Sequence, residues 1–319
     1  MRLRAPGPNP ILLQPVHPSA AVRAWYAGQL DALVVAMGGA VLEACQDVWR
    51  VNEPVHVATF PSHVLGGHLD RLERAWTEHF NDRAEAIVRG FLFRSLRHVD
   101  LAFGATLKKA GFHVAPSGPM TFDSLAMDEF TPFIQKKDLW GHMALKFEMT
   151  PAMRRALAQK LDDNVGLIST RALKGGTIPR QYFGLVRDCV YHSINEGRNL
   201  HHLTEQLHEK LAITRRRAGL IARDQNNKAT SLFTRTRQKE VGIDKAQWMH
   251  TAASIHPREE HAEWDGMAYN VDEGMMSQEE GEQQWPGSAI NCGCLSMPII
   301  PGYNDEGDEY SEFDEEEAG

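Results

Sequence analysis

Along the first third of the chain, apolar residues recur every three to five positions. Between residues 18 and 49 the stripe is Trp25, Leu30, Leu33, Met37, Val41, Cys45 and Val48, a spacing that predicts an amphipathic helix. From Leu69 to about Lys109, Leu72, Trp76, Phe80, Ala84, Ile87, Phe91 and Leu96 keep that spacing opposite charged residues, and Gly111 is expected to end this second helical zone. Residues 116–150 scatter Phe and Met between Pro and Asp, a less regular pattern that suits an insertion or a short mixed layer. Thr150 suits an N-cap and Pro151 the first helical position, so a helix is expected to run to about Asp163, with apolar VGLI leading into a Gly-Gly break. Pro179 opens the next helix, with Tyr182, Val186, Cys189, Val190 and Ile194 on one face and Gly197 at its close. Leu200, Leu203, Leu207 and Leu211 repeat the pattern, and a long helix from Thr214 to Glu240 ends at Gly242.

Beyond Gly242 the period shortens. KAQWMHTAAS alternates as a strand does, HPREEHAEWDG reads as a short helix or turn, and MAYNV and AINCGCLSMPII read as extended. The expected fold is therefore α+β and predominantly helical, with long N-terminal helices followed by a small C-terminal module of short strands. Its expected divisions are a helical region over 1–174, the module over 175–302 and an acidic tail over 303–319.

Composition changes this picture in three places. The net charge of −8 looks acidic, but residues 303–319 hold nine carboxylates and no Lys or Arg, which leaves about +1 for the rest. Such a tail cannot bury enough apolar surface to fold alone and is expected to be disordered. The start, MRLRAPGPNP, does not read as a secretory signal, and the apolar stretch from Leu33 to Cys45 is too short to span a bilayer, so no membrane role is expected. Four cysteines, at 45, 189, 292 and 294, do not make a disulfide framework and fit a reducing cytosol.

The order of these segments carries a resemblance. ALAQKLDDNVGLIST, VRDCVYHSINEGRNLHHLTEQL, LIARDQNNKA, GIDKAQWMHTA, HPREEHAEWDG and AINCGCLSMPI together resemble the phage Mu F-like head morphogenesis (minor capsid) family. The motif positions are Ala222 and Arg223 on a helix, Gly242 and Trp248 around a strand, Arg258 and His261, Asp265 and Gly266, and finally Asn291, Cys292 and Cys294. The chain departs from the family at Ser254, where many relatives carry Asp, at His256, where a further Arg is common, and at Gly293, the usual position of an Arg. The resemblance implies a structural protein of the phage head, without enzymatic activity, that associates with the portal and serves head assembly, DNA packaging or DNA delivery. Its implied partners are the portal protein, the major capsid or scaffolding protein, and packaged DNA, and its implied locations are the virion and, during assembly, the host cytoplasm.

Several side chains invite chemistry of their own. On an ideal strand Cys292 and Cys294 would point to one face, about 7 Å apart, so one Zn²⁺ would require a bend, which Gly293 permits. His261 and His256 would then complete a Cys₂His₂ set, while the alternative is that the cysteines simply pack as small buried residues. An enzyme centred on His261, Glu263, Cys292 and Cys294 is the competing class, as a zinc-dependent hydrolase or nuclease or as a Cys–His nucleophile. The zinc-deaminase layout fails, since Asn291 and the single Gly293 replace the Pro and the two-residue spacer it needs. His261 is otherwise expected to hydrogen-bond Asp265 and fix the Asp-Gly turn, and Arg258 to bind a backbone carbonyl or a carboxylate. A third class is a non-specific DNA-binding module, with Arg215, Arg216, Arg217, Arg223, Lys228, Arg235 and Arg237 presented by one long helix to phosphates.

Overall fold

The first stripe folds as α1 (Ala20–Val51) in a computed structural model that describes residues 10–51, 62–115, 136–137, 143–169, 177–195, 200–251 and 258–300. The second zone is α2 (Ser62–Lys109), which starts about two turns before the expected Leu69. Two short strands, β2 (Lys136–Lys137) and β3 (Met143–Ala144), follow. Thr150 caps α3 (Pro151–Ile168) as expected, its Oγ1 accepting the Met153 backbone N–H at 3.1 Å. The helix outruns Asp163 because Val165 and Ile168 extend its buried face. After α4 (Ile178–Asn195), the two helices expected on either side of residue 213 are one, α5 (Leu200–Glu240). Thr214 Oγ1 donates to the Lys210 carbonyl at 2.9 Å, so its hydroxyl is satisfied inside the helix.

Gly242 ends α5 as predicted. With φ at +76° it lets the Ile243 N–H reach the Gln238 carbonyl at 2.9 Å and its own N–H reach Lys239 at 3.0 Å, the paired bonds of a Schellman cap. The chain then enters β4 (Lys245–Met249), α6 (Glu259–Glu263), β5 (Ala268–Asn270), the hairpin β6 (Met275–Met276) and β7 (Gln283–Gln284), and β8 (Leu295–Ile300). An edge strand that the sequence pattern did not suggest, β1 (Ile11–Leu12), completes an antiparallel sheet in the order β1-β8-β4-β5. The expected α+β class, predominantly helical, is the one observed.

Contacts divide the chain into two compact units. One comprises Pro18–Ser95 and Leu157–Ala229. In its core Tyr26, Leu30, Val34, Met37, Val41 and Cys45 of α1 are fully buried, and Tyr26 stacks on Phe91 at 4.2 Å while its hydroxyl donates to Asn164 at 3.2 Å. Taken whole, α1 has the length and apolarity to cross a membrane, unlike the Leu33–Cys45 stretch alone. Here its apolar stripe is committed to helix packing instead.

The other unit comprises residues 1–17, Leu96–Ala156 and 230–319 within the described span. It holds the sheet, the end of α2 and the end of α5. Arg237, 1% exposed, donates to both Asp100 oxygens at 2.7 and 3.0 Å, to Glu240 at 2.6 Å and to the Glu148 carbonyl at 2.7 Å. Ser231 donates to the Pro286 carbonyl at 2.5 Å, Gln238 to Ser296 at 3.2 Å, and Arg235 lies 3.8 Å over the Trp285 ring, so the last turns of α5 anchor the strands. The acidic tail lies outside the described residues.

Candidate functional site

Strand alternation on β4 buries Ala246 and Trp248 on one face, and Trp248, wholly buried, is the hub of the module. Trp264 packs edge-on against it at 4.8 Å, His261 at 5.0 Å and Tyr269 at 6.0 Å, while His261 stacks on Trp264 at 5.2 Å. Val271, Ala289, Cys292 and Cys294 complete this core.

Helix α6 delivers His261. Arg258 at its N-cap donates to Glu280 at 3.0 Å and to the Ile290 carbonyl at 3.1 Å, bearing out both kinds of partner expected for it. Glu260 accepts from Ser277 Oγ and the Gln278 N–H, each at 2.7 Å, and from the Glu279 N–H at 3.1 Å. The Ser277 hydroxyl, and after it those backbone donors, hold the Glu260 carboxyl below its ordinary range. Asp265 has a different partner from the one the spacing suggested: its Oδ1 accepts the His250 backbone N–H at 2.7 Å, not a proton from His261. The Asp265-Gly266 pair therefore fixes the end of β4, and Gly266 at φ +81° donates to the Trp248 carbonyl at 2.8 Å.

The cysteine segment corrects a second expectation. Strand β8 begins only at Leu295; Asn291 turns the chain with φ at +57°, and the Cys292 N–H closes that turn on the Ala289 carbonyl at 3.1 Å. Asn tolerates this left-handed geometry better than most residues, which explains its place before the cysteine. Asn291→Gly is accordingly expected to be tolerated within about 1 kcal/mol, whereas the β-branched Asn291→Val should lose about 1–3 kcal/mol, read as a shift in urea midpoint.

The bend brings the sulfurs together instead of leaving them strand-spaced. One ligand-type atom from each of His261, Cys292 and Cys294 lies within 4.8 Å of the others. His261 Nδ1 is 3.4 Å from Cys292 Sγ and 3.8 Å from Cys294 Sγ, and Cys294 Sγ is 3.5 Å from His250 Nδ1. The Cys294 N–H donates to Cys292 Sγ at 3.4 Å, and Thr251 Oγ1 donates to the Gly293 carbonyl at 2.7 Å. On its far side, His261 Nε2 donates to Gln284 Oε1 at 2.7 Å.

Protons are distributed unevenly in this cluster. The hydrogen bond from Cys294, followed in effect by His261, holds the Cys292 thiol well below the cysteine range against the opposing influence of burial. Its thiolate, with burial, pushes Cys294 up. Burial pulls His261 down, but the bonds to Cys292 and Gln284 outweigh it and leave the imidazole raised. His261 and Cys292 are each 2% exposed and Cys294 4%, so a thiolate here is shielded from solution. Glu263, the acid that enzyme chemistry would need, is exposed.

His256 lies outside the described residues, and a histidine not singled out from the sequence, His250, lies beside Cys294. The pattern carried a signal for it, since positions 246, 248 and 250 share a strand face. Gln284 carried no local signal, because it reaches His261 only through the β6–β7 hairpin. Ala222 and Arg223 belong to the other unit, where Ala222 is fully buried. Of the basic side chains on α5, Arg237 is buried, Arg215 pairs with Asp31 at 2.6 Å and Lys228 with Asp224 at 3.0 Å, while Arg216 and Arg217 are exposed.

Every member of the cluster falls within one contiguous stretch from the middle of α4 to β8. Residues 185–297 match the family Phage Mu protein F like protein. The resemblance drawn from the motifs is thereby borne out over the Mu F-like segment. A 126-residue stretch is 32% identical to an uncharacterized protein of Haemophilus influenzae, covering 39% of this chain and 26% of that protein. The chain thus spans about a quarter of that relative's length. No solved structure matches the chain.

Proposed function

We propose that the protein is a minor head protein of a tailed phage or prophage, a structural component that associates with the portal and assists head assembly, DNA packaging or DNA delivery. The Mu F-like match over 185–297 carries this assignment, because that span holds the motif residues and the core they build around Trp248. Several motif positions have packing or turn roles: Gly242 caps α5, Asp265 and Gly266 end β4, Asn291 turns the cysteine loop, and Arg258 ties two loops together. Such a division of labour suits a rigid docking module. A Cys–His nucleophile would instead have to present its thiolate to a substrate, and both cysteines are buried.

Binding of DNA by α5 has less support than the sequence suggested, since Arg237 is committed to a buried ion pair and Arg235 to an aromatic face. The test is composition of assembled heads. Heads made with a tagged copy of this chain should carry it together with the portal ring after disruption, and heads made without the gene should be fewer or unfilled. Normal yield of filled heads without the protein would overturn the assignment.

A further inference from the structure

We propose that His250, His261, Cys292 and Cys294 form a structural zinc site that locks the C-terminal module. Three sulfur–nitrogen distances fit a tetrahedral ion, and His250 joins the close group of His261, Cys292 and Cys294 through its contact with Cys294. With Zn–S near 2.3 Å and Zn–N near 2.0–2.1 Å, tetrahedral geometry puts sulfur and nitrogen ligand atoms about 3.5–3.6 Å apart. Three of the four sulfur–nitrogen pairs lie 3.4, 3.5 and 3.8 Å apart.

Proton counting points the same way. Gln284 Oε1 can only accept, so the His261 proton sits on Nε2 and Nδ1 offers its lone pair to the sulfurs. A carboxamide behind a ligating imidazole fixes tautomer and ring orientation, as second partners of metal-bound histidines do. Cys294 Sγ faces two imidazole nitrogens, and one S–H cannot serve both. A cation accepts all four lone pairs at once. The Cys292 sulfur is also set up as a thiolate, since it receives the Cys294 backbone N–H, and the indole N–H of Trp248 is buried in the same core.

Two thiolates and two imidazoles select zinc over oxygen-seeking cations. Four protein ligands close the coordination sphere, which makes the site structural and leaves no position for a reacting water. The ligands come from the end of β4, from α6 and from the loop before β8, so one ion would cross-link three segments that short strands alone hold weakly. This site does not depend on the head-assembly assignment, and either can fail without the other.

The test uses the full chain, expressed with zinc, desalted and analysed by elemental mass spectrometry. About one zinc per chain is expected, lost in Cys292→Ser and Cys294→Ser and kept in Cys189→Ser, whose thiol lies in the other unit. Exchange for Co²⁺ should give the absorption of a tetrahedral site with thiolate-to-cobalt charge transfer. Gln284→Leu should retain the ion but bind it about 10–100-fold more weakly, which tests the site without removing a ligand. A chelator should lower the melting temperature of the native chain and leave Cys294→Ser unmoved. Zinc no higher in the native chain than in the cysteine variants, a cobalt spectrum without thiolate bands, or a melting temperature indifferent to chelator would each overturn the proposal.

Discussion

Replacing Arg237 with alanine is expected to lower stability by about 3–5 kcal/mol, the loss typical when one partner of a buried ion pair is removed. Arg237 and the Asp100 side chain are each 1% exposed, and Glu240 also leans on the same guanidinium. Without Arg237, Asp100 and Glu240 would lose the one cation they share among the described residues. Asp100→Asn should be milder, because the carboxamide still accepts from the guanidinium and Glu240 still balances its charge.

The sign of the pH dependence separates this account from simple loss of packing. Burial pushes the Asp100 carboxyl above its ordinary range, and Arg237, acting in the opposite direction, does not fully offset it. A group raised in the folded state contributes stability that is present below its unfolded value and is lost as pH rises through its folded value. Removing Arg237 takes away what restrains that rise, so the deficit of Arg237→Ala should shrink as pH falls from neutral toward the acidic range. Urea unfolding at two pH values measures it; a deficit that does not change with pH would show that the guanidinium acts by volume alone.

How far such features could be read beforehand depends on how local their causes are. The helical stripes needed only spacing, and the Thr150 cap and the Gly242 stop needed only residue chemistry, so both were legible. The join inside α5 is not legible locally, because Thr214 looks like a helix start while its hydroxyl finds the Lys210 carbonyl within the helix. The flanking apolar residues make the cysteine pair look like a strand, whereas one left-handed residue, Asn291, decides the local geometry. Arg237 looked like one basic residue among many on a helix, since nothing nearby in sequence announces Asp100, 137 residues away. β1 was invisible for a similar reason: two residues pair with β8 from the opposite end of the chain. The candidate site divides along the same line, with His261, Cys292 and Cys294 read from motif spacing and Gln284 accessible only through the fold.

Trp248 gives the other large effect. Truncation to alanine removes a fully buried indole that touches Trp264, His261 and Tyr269, and is expected to cost about 3–5 kcal/mol, with loss of the module's near-ultraviolet signal. Trp248→Phe distinguishes ring packing from the N–H. Phenylalanine keeps an aromatic edge for its neighbours and removes a donor that has no partner of its own, so about 1–2 kcal/mol is expected from the smaller ring. If the indole N–H turns to a zinc-bound Cys294 thiolate, Trp248→Phe should also weaken zinc retention beyond what its stability loss explains. Equal zinc affinity in Trp248→Phe and the native chain would confine Trp248 to packing, and the closed module would then depend on its aromatic core and its four ligands as separate contributions.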